Sequence, residues 1–383
     1  MIRKRLLDAM QQSGTELMLV CSHENVAYCS GVGLPLPFGA VFDYGGGYPL
    51  GYVLADCAQK KTTLVISDQY SALAKAESFT DRTIFFTHYD HFAGVDANTA
   101  LEDALREALA SAPKGARIGI EGKALPAMVY TLLKQLGIEI VDGTKTLIRA
   151  RQIKEPDELE RIRRSVYLED CGQRRLIEYA RDFHGETALE MWHGVLLAMD
   201  EAAGERVDVW GELATGLPVG SPQTPGGPLP GKVAPGDLGR MDISVRYRGY
   251  WCDCTNMVVF GAEPTAHQLE CLRVVKEAYD AAFEKLRPGV RMCEADLAAK
   301  KVYEKYGREP VVYTGHQIGC GVNEAPRIVC YEDAVFESGM VVCIEPQQYL
   351  YPEEGVGARL ERVIQITDGA PVELNRFPWG VDL

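Results

Sequence analysis

Acidic side chains inside strand-like apolar segments are the feature that most constrains the fold and the function of this 383-residue chain. Asp242 and Asp253 lie in the stretch GDLGRMDISVRYRGYWCDCTNMVVFG. Residues 241–245 and 250–260 alternate or run apolar like strands, and the polar residues 246–249 between them predict a hairpin turn. The two aspartates are then near neighbours on one face, where like charges repel strongly unless a cation neutralises them. The hairpin therefore predicts a cation site.

The same arrangement recurs nearer the C-terminus. GMVVCIEPQQYL places Glu345 near the end of an apolar strand, and GARLERVIQIT places Glu361 within another, with the PEEGVG turn between them. His316, in TGHQIGCG, adds one nitrogen ligand. Carboxylates with one imidazole suit Mn(II), the metal we expect, and also Co(II), Fe(II) or Zn(II). Bridging carboxylates hold two such ions about 3.5–4 Å apart, so that one activated hydroxide is shared in a hydrolytic site.

The pattern of these residues resembles the signature of the creatinase, prolidase, aminopeptidase P and methionine aminopeptidase family. The resemblance rests on GDL before the first strand, IEP around Glu345, a small-x-Arg-x-Glu run, and five metal-ligand positions that are all filled: Asp242, Asp253, His316, Glu345 and Glu361. It covers roughly residues 150–367. It implies an α/β (α+β) chain whose C-terminal pita-bread domain carries the metal site on a curved antiparallel sheet, and it implies a homodimer.

Two domains are expected. Residues 1–149 alternate helix-like and strand-like stretches, the pattern of a small α/β domain of the creatinase/prolidase N-terminal type. A helix that opens at Pro156, a residue favoured in the first turn, resembles the helix that joins the domains in the prolidase branch. Residues 150–383 then form the metallohydrolase domain. Its Gly- and Pro-rich segment 216–236 predicts an irregular loop that lines the pocket.

Regular elements follow from periodicity. In the first domain the predicted helices are 2–12, 100–110 and 125–136, and the predicted strands are 16–20, 62–66, 83–87 and 118–121. In the second domain the predicted helices cover 188–202, 266–286 and 294–306.

Three auxiliary histidines of the proline-specific family members are absent. They typically follow an ASG-like turn, precede the metal histidine by four residues and follow it by seven; these positions hold Gln223, Val312 and Asn323. Gln223 and Asn323 still donate hydrogen bonds, but neither changes charge. Groups of this kind stabilise an oxyanion by on the order of 100-fold or more each. Their loss favours a substrate smaller than a peptide.

Three functions remain open on this pattern. One is a Xaa-Pro aminopeptidase or prolidase that cleaves a C–N bond in a small peptide by a metal-bridging hydroxide. Another is a catabolic hydrolase or lyase of a small amide or other non-peptide molecule, like creatinase or ectoine hydrolase. The third is a non-catalytic binding module like the peptidase-like domains of some histone chaperones, which tend to lose the metal ligands.

The resemblance also implies catalytic roles. Glu345 is the expected proton shuttle between the water and the leaving nitrogen. Gln223 and Asn323 take the place of histidine as ligands of the substrate. Arg359, two residues before Glu361, either binds a substrate carboxylate or pairs with one of the ligand carboxylates, Asp253 or Glu361.

Arg362 stands where the family commonly has an acid. One interpretation is that it makes this wall of the site cationic. The other is that it points to solvent, because strand alternation puts it opposite Glu361.

The amino-acid composition indicates which classes of partner and which cellular compartment to expect. A net charge of −14 disfavours nucleic acid. No apolar run approaches the roughly 18 residues of a membrane span, and the first residues predict an amphipathic helix rather than a signal peptide. The eleven dispersed cysteines contain no CxxC and predict free thiols in the cytoplasm. Cys252 and Cys254 flank Asp253 and are expected to point away from the metals.

Overall fold

The computed structural model describes residues 2–35, 50–216, 226–309, 313–350 and 356–383. They form two compact units, which divide between Gln152 and Ile153. Both units combine helices with sheets, as the α/β class requires.

The first unit is built on a six-stranded mixed sheet. Its helices are α1 (Lys4–Ser13), α2 (His23–Ser30), α3 (Ser71–Glu77), α4 (Ala97–Ala108), α5 (Ala127–Gln135) and α6 (Thr144–Gln152). Its strands are β1 (Leu17–Val20), β2 (Gly51–Asp56), β3 (Lys61–Ser67), β4 (Arg82–Phe86), β5 (Arg117–Ile120) and β6 (Glu139–Asp142).

The strand order in this sheet is β4-β3-β2-β1-β5-β6. β1 pairs antiparallel with β2 and parallel with β5. Leu19, Leu54 and Val65 on the sheet pack with Leu105 of α4 and Leu133 of α5 in one apolar core. The predicted helices and strands of this unit are present with ends shifted by up to three residues, whereas α2, α3, α6, β2 and β6 were not predicted.

The second unit carries all the candidate metal ligands. Its helices are α7 (Pro156–Arg181), α8 (Ala188–Ala203), α9 (Ala266–Phe283) and α10 (Met292–Lys305). Its strands are β7 (Asp208–Thr215), β8 (Gly227–Pro228), β9 (Leu238–Tyr247), β10 (Tyr250–Val259), β11 (Gly315–Gln317), β12 (Glu324–Ile328), β13 (Val341–Ile344), β14 (Gln347–Tyr349), β15 (Gly357–Arg359), β16 (Arg362–Gln365) and β17 (Val372–Glu373).

Two sheets of this unit position the site. One has the order β10-β9-β7-β8 and the other the order β12-β11-β13-β16-β17. Helices α9 and α10 cover the second sheet through a core that includes Leu272, Tyr279, Ala299, Val342 and Ile364. Of the segment 216–236, residues 217–225 lie outside the described residues, and the remainder contains the short strand β8.

The predicted hairpin is present as β9 and β10. Its turn is tighter than predicted, because Tyr247 already pairs with Tyr250. The two residues between them, Arg248 and Gly249, have φ of 47° and 85°. Positive φ at both central positions belongs to the two-residue turn that matches the twist of paired strands.

Helix α7 packs against this hairpin and begins where the sequence predicts. Pro156 occupies its first turn, and Glu155 and Glu158 form a capping box. Its buried face includes Ile162 and Val166. This helix covers the side of the hairpin sheet away from the candidate ligands.

Candidate metal centre

Three carboxylates converge around the imidazole of His316 on β11. Its Nε2 atom lies 3.8 Å from Asp253 Oδ2, 3.5 Å from Glu345 Oε1 and 3.7 Å from Glu361 Oε1. Glu345 directly follows β13, the strand that pairs with β11. His316, Glu345 and Glu361 are buried, with 1%, 5% and 1% of their surface exposed. Residues up to 108 positions apart in sequence, from Asp253 to Glu361, thus share one site.

Asp242 completes the cluster from the hairpin. Asp253 is paired with Ser244 and Asp242 with Thr255, so the two acids are diagonal rather than directly opposite neighbours on one face. The carboxylates of Asp242, Asp253 and Glu361 each offer an oxygen within 4.8 Å of the other two. This spacing lets one cation contact more than one of the three acids.

The sequence predicts that Glu361 lies within a continuous strand, and this prediction is wrong. It falls between β15 and β16. Its backbone N–H donates to the carbonyl of Thr255 on β10 at 3.0 Å. This hydrogen bond brings the Glu361 side chain beside the hairpin acids, because it ties the chain to β10 at the point between β15, which pairs with β14, and β16 of the five-stranded sheet.

Neighbouring groups orient the candidate ligands. His316 Nδ1 lies 2.9 Å from the carbonyl oxygen of Gln317, which can only accept, so Nδ1 donates this hydrogen bond and Nε2 is the ring atom that faces the carboxylates. Ser244 donates to Asp253 at 3.0 Å and Thr255 donates to Glu361 at 3.0 Å. Glu361 Oε1 is buried and has no hydrogen-bond partner among the described residues.

The electrostatics of the cluster call for a cation. Burial raises the pKa of Asp253, and the charges of Glu361 and Asp242 raise it further. Burial raises the pKa of Glu361 as well, with Glu345 and Asp242 adding to the effect. Several carboxylates that face one another repel unless a positive charge lies between them. The donor set therefore fits divalent ions with an oxygen-rich preference, such as Mn(II), Co(II), Fe(II) or Zn(II).

Arg359 pairs with Asp242, a partner that the sequence did not predict. Its Nη1 contacts Asp242 Oδ2. Its Nε and Nη2 donate to Gln347 Oε1 at 3.2 and 3.0 Å and to the hydroxyl of Tyr349 at 3.1 and 2.8 Å. The predicted pairing with Asp253 or Glu361 is wrong. The guanidinium is enclosed by these three partners and holds Asp242 toward the cluster.

Arg362 neither lines the site nor points to solvent. It is 2% exposed, and its guanidinium lies 3.6 Å from the ring centre of Phe377 and 3.5 Å from that of Trp379. Strand alternation turns it away from Glu361 as predicted, but that side of the strand is covered by the C-terminal residues. Both interpretations of its position are wrong.

Tyr313 is a site residue that sequence reasoning missed. Its ring lies edge-on to His316, with 6.4 Å between ring centres, and its hydroxyl accepts a hydrogen bond from Asn323 Nδ2 at 3.2 Å. The Tyr313 hydroxyl also helps to lower the pKa of Glu345, whose burial raises it. Only its position three residues before His316 signalled a role.

The loop that carries Asn323 is held by a buried ion pair. Lys154 Nζ lies 3.3 Å from Glu324 Oε2, with 1% and 7% of the two side chains exposed. Glu324 Oε1 also accepts from the backbone N–H of Gly321 at 2.8 Å. Asn323 itself is exposed at the edge of the site.

Two positions of the absent auxiliary histidines cannot be placed, whereas the cysteines beside Asp253 can. Gln223 and the apolar Val312 lie outside the described residues. Cys254 contacts Gln173 of α7 at 3.5 Å and Cys252 lies beside Glu169 of the same helix, so both point away from the ligands as predicted. All eleven cysteines are free.

Two known protein-domain families match this chain, one in each unit. The model of metallopeptidase family M24 matches residues 160–368, which is more than half of the chain. The creatinase/prolidase N-terminal domain matches residues 2–153. The chain belongs to metallopeptidase family M24. The M24 protein is therefore a metal-dependent hydrolase, and the family and fold class predicted from the residue pattern are confirmed.

The similarity to individual relatives extends over both units. An Xaa-Pro dipeptidase of Pyrococcus furiosus is 26% identical over 376 residues, which cover 97% of each chain. A probable dipeptidase PepE of Mycobacterium tuberculosis is 32% identical over 263 residues, or 67% of each chain. The solved structure of the prolidase from Pyrococcus furiosus matches with a TM-score of 0.75 and 25% identity, covering 97% of this chain and 99% of that chain.

None of the helices in the described part of the M24 protein has the length and apolar character that a membrane crossing requires.

Proposed function

We propose that this M24 protein is a two-metal hydrolase of the Xaa-Pro dipeptidase or aminopeptidase type, which cleaves an amide bond in a small peptide. The observation that carries the proposal is the convergence of three carboxylates within 3.8 Å of His316 Nε2. The name of the Pyrococcus furiosus relative, an Xaa-Pro dipeptidase, supports this substrate class.

The proposed ligands are Asp242, Asp253, His316, Glu345 and Glu361. They would hold two divalent ions, for which we propose Mn(II), with Co(II), Fe(II) and Zn(II) as compatible alternatives. When bound, such ions polarise a carbonyl and lower the pKa of water to near neutrality.

The protein side chains supply proton transfer and orientation. Glu345 accepts a proton from the attacking water and donates it to the leaving nitrogen, because its carboxylate faces the centre of the cluster. Tyr313 orients Glu345 from the side. Arg359 holds Asp242 rather than a substrate carboxylate, since its donors are already engaged. Asn323 and Gln223 are proposed as hydrogen-bond donors to the substrate.

A second candidate function is the hydrolysis of a small non-peptide amide. The neutral pair of Asn323 and Tyr313 beside the candidate ligands favours it. Asn323 stands at one of the positions where the proline-specific family members typically have a histidine, and its amide cannot change charge, so the site suits a substrate whose leaving group needs less assistance.

Proline release from Xaa-Pro dipeptides and longer Xaa-Pro peptides tests the first function. Metal-free protein is reloaded with Mn(II) and compared with Asp253→Asn, which we expect to lose turnover with its circular dichroism unchanged. Asp333→Asn is the matched control, because its side chain is 83% exposed and pairs with Arg291 at the surface. No proline release by metal-loaded wild-type protein would reject the peptidase and direct the search to small amides.

The assembly and compartment remain part of the proposal. We infer a cytoplasmic homodimer that acts on a small peptide or a small amide, with no nucleic-acid or membrane partner. Free cysteines throughout the chain support a reducing compartment. Light scattering coupled to size exclusion measures the subunit number.

A further inference from the structure

Three paired strands form a row of side chains that ends in an exposed tryptophan. Trp210 of β7 pairs with Ser244 of β9, and Ser244 pairs with Asp253 of β10. Directly paired residues project their side chains from the same face of a sheet. Trp210 therefore lies on the face that carries the candidate ligands, two strands away from Asp253.

The residues on either side of Trp210 along this face are already paired. Asp208 lies 3.2 Å from Arg246, and Glu212 accepts from Arg240 at 2.6 Å. The indole is thus a neutral apolar surface between two satisfied ion pairs.

Trp210 is 69% exposed, in contrast to the buried Trp192 and Trp251, which are 9% and 8% exposed. An indole buries 150–250 Å² in cores and interfaces, so a largely exposed one beside a polar site leaves a large apolar surface in water. Such a surface stabilises whatever apolar group covers it. Because this surface lies in the same row as Asp253, we expect an apolar part of the substrate to cover it.

The spacing agrees with a substrate contact. Two interstrand distances of about 4.8 Å place the Cα atoms of Trp210 and Asp253 about 10 Å apart. An extended peptide advances about 3.3–3.6 Å per residue. A residue that flanks an amide bond held near Asp253 therefore has its side chain within reach of the large indole ring.

We propose that Trp210 is a specificity-determining residue that contacts the apolar side chain next to the scissile amide. The inference rests on the proposed peptidase function and adds a preference for apolar over small residues before proline. The predicted preference is for leucyl-proline over glycyl-proline.

Binding tests the contact directly. Mn(II)-loaded wild-type protein is mixed with leucyl-proline in a stopped-flow instrument, and tryptophan fluorescence is compared with that of Trp210→Phe. We expect a fluorescence change in the wild type that falls by at least about half in the variant. The reason is that Trp210 is exposed, whereas Trp192 and Trp251 are buried and a bound dipeptide does not reach them. A wild-type protein without a change, or an equal change in both proteins, overturns the inference.

Steady-state kinetics test the preference. Trp210→Ala is expected to raise KM for leucyl-proline by about 10-fold and for glycyl-proline by less than about twofold, since only the larger side chain covers the indole. Tyr331→Ala removes an aromatic ring that is 82% exposed elsewhere in the same unit and serves as the control. Equal effects of Trp210→Ala on both dipeptides refute the preference.

The two proposals fail in different ways. If the wild type hydrolyses the dipeptides but Trp210→Ala keeps the wild-type preference, the peptidase function stands and the role of Trp210 is rejected. If the wild type hydrolyses neither dipeptide but leucyl-proline changes the fluorescence only when Trp210 is present, the contact stands and the peptidase function is rejected.

Discussion

Glu169 provides a stability test that does not depend on activity. It lies on α7 with 0% of its surface exposed, and it accepts from Asn375 Nδ2 at 3.5 Å. Burial raises the pKa of Glu169 to about 8, while the thiols of Cys254 and Cys252 lower it and Asp170 raises it. We therefore expect a protonated Glu169 in the folded protein at neutral pH.

The pKa shift predicts how stability changes with pH. The ordinary pKa of 4.5 applies to the unfolded chain, and the folded value of about 8 lies above it. The folded protein thus keeps the full contribution of neutral Glu169 below pH 4.5 and loses it as pH rises through 8. At about 1.36 kcal/mol per pKa unit, the loss attributable to this group between pH 5 and pH 9 is about 4 kcal/mol.

Glu169→Gln removes this dependence, because the amide has the shape of the protonated carboxyl and stays neutral. The free energy of unfolding in urea, followed by circular dichroism on metal-free protein from pH 5 to pH 9, measures the difference between wild type and variant. Every other ionisable group is common to both proteins and cancels. We expect the difference to move in favour of the variant by about 4 kcal/mol across this range.

Glu178→Gln on the same helix is the control, since Glu178 is exposed and lies 3.0 Å from Arg175. Its difference from wild type is expected to vary by less than about 1 kcal/mol over the same range. If the Glu169→Gln and wild-type stabilities run parallel from pH 5 to pH 9, Glu169 does not carry a proton in the fold and the reasoning from burial is refuted.

Three further predictions concern the site and its support. Tyr313→Phe is expected to lower kcat by about 10-fold with bound metal unchanged, because a hydrogen bond to a charged group contributes about 1.5–3 kcal/mol; an unchanged kcat in steady-state assays would exclude this role. Lys154→Met removes the cation beside the buried carboxylate of Glu324 and should reduce the free energy of unfolding in urea by about 3–5 kcal/mol, whereas Lys305→Met, at a surface pair with Glu277, should cost less than about 1 kcal/mol. Saturating Mn(II) should raise Tm more at pH 8 than at pH 5.5, because the raised pKa values of Asp253 and Glu361 mean that metal-free protein loses stability as pH rises; equal shifts at both pH values in thermal melts would contradict a cation at these acids.

Elements that depend on patterns within a few residues of the chain could be predicted from the sequence. The hairpin of β9 and β10 follows from alternation and a Gly-containing turn, and the start of α7 follows from Pro156. Strand and helix periods of 2 and 3.6 residues involve only near neighbours in the chain, so these elements can be predicted locally. The candidate ligands were identified in the same way, because acids within apolar strands are costly wherever the strands lie.

Contacts between distant segments were decided only by the tertiary structure. Arg359 pairs with Asp242, 117 positions away, and Arg362 is enclosed by Phe377 and Trp379. The exposed Trp210 was assigned no role until strand register placed it in the row of Asp253. Which long side chain reaches which partner depends on register and on how the two sheets meet, and a one-residue change of register moves a side chain to the other face. The sequence by itself therefore determined the family, the fold class and the candidate ligands, whereas packing decided the partners that orient them.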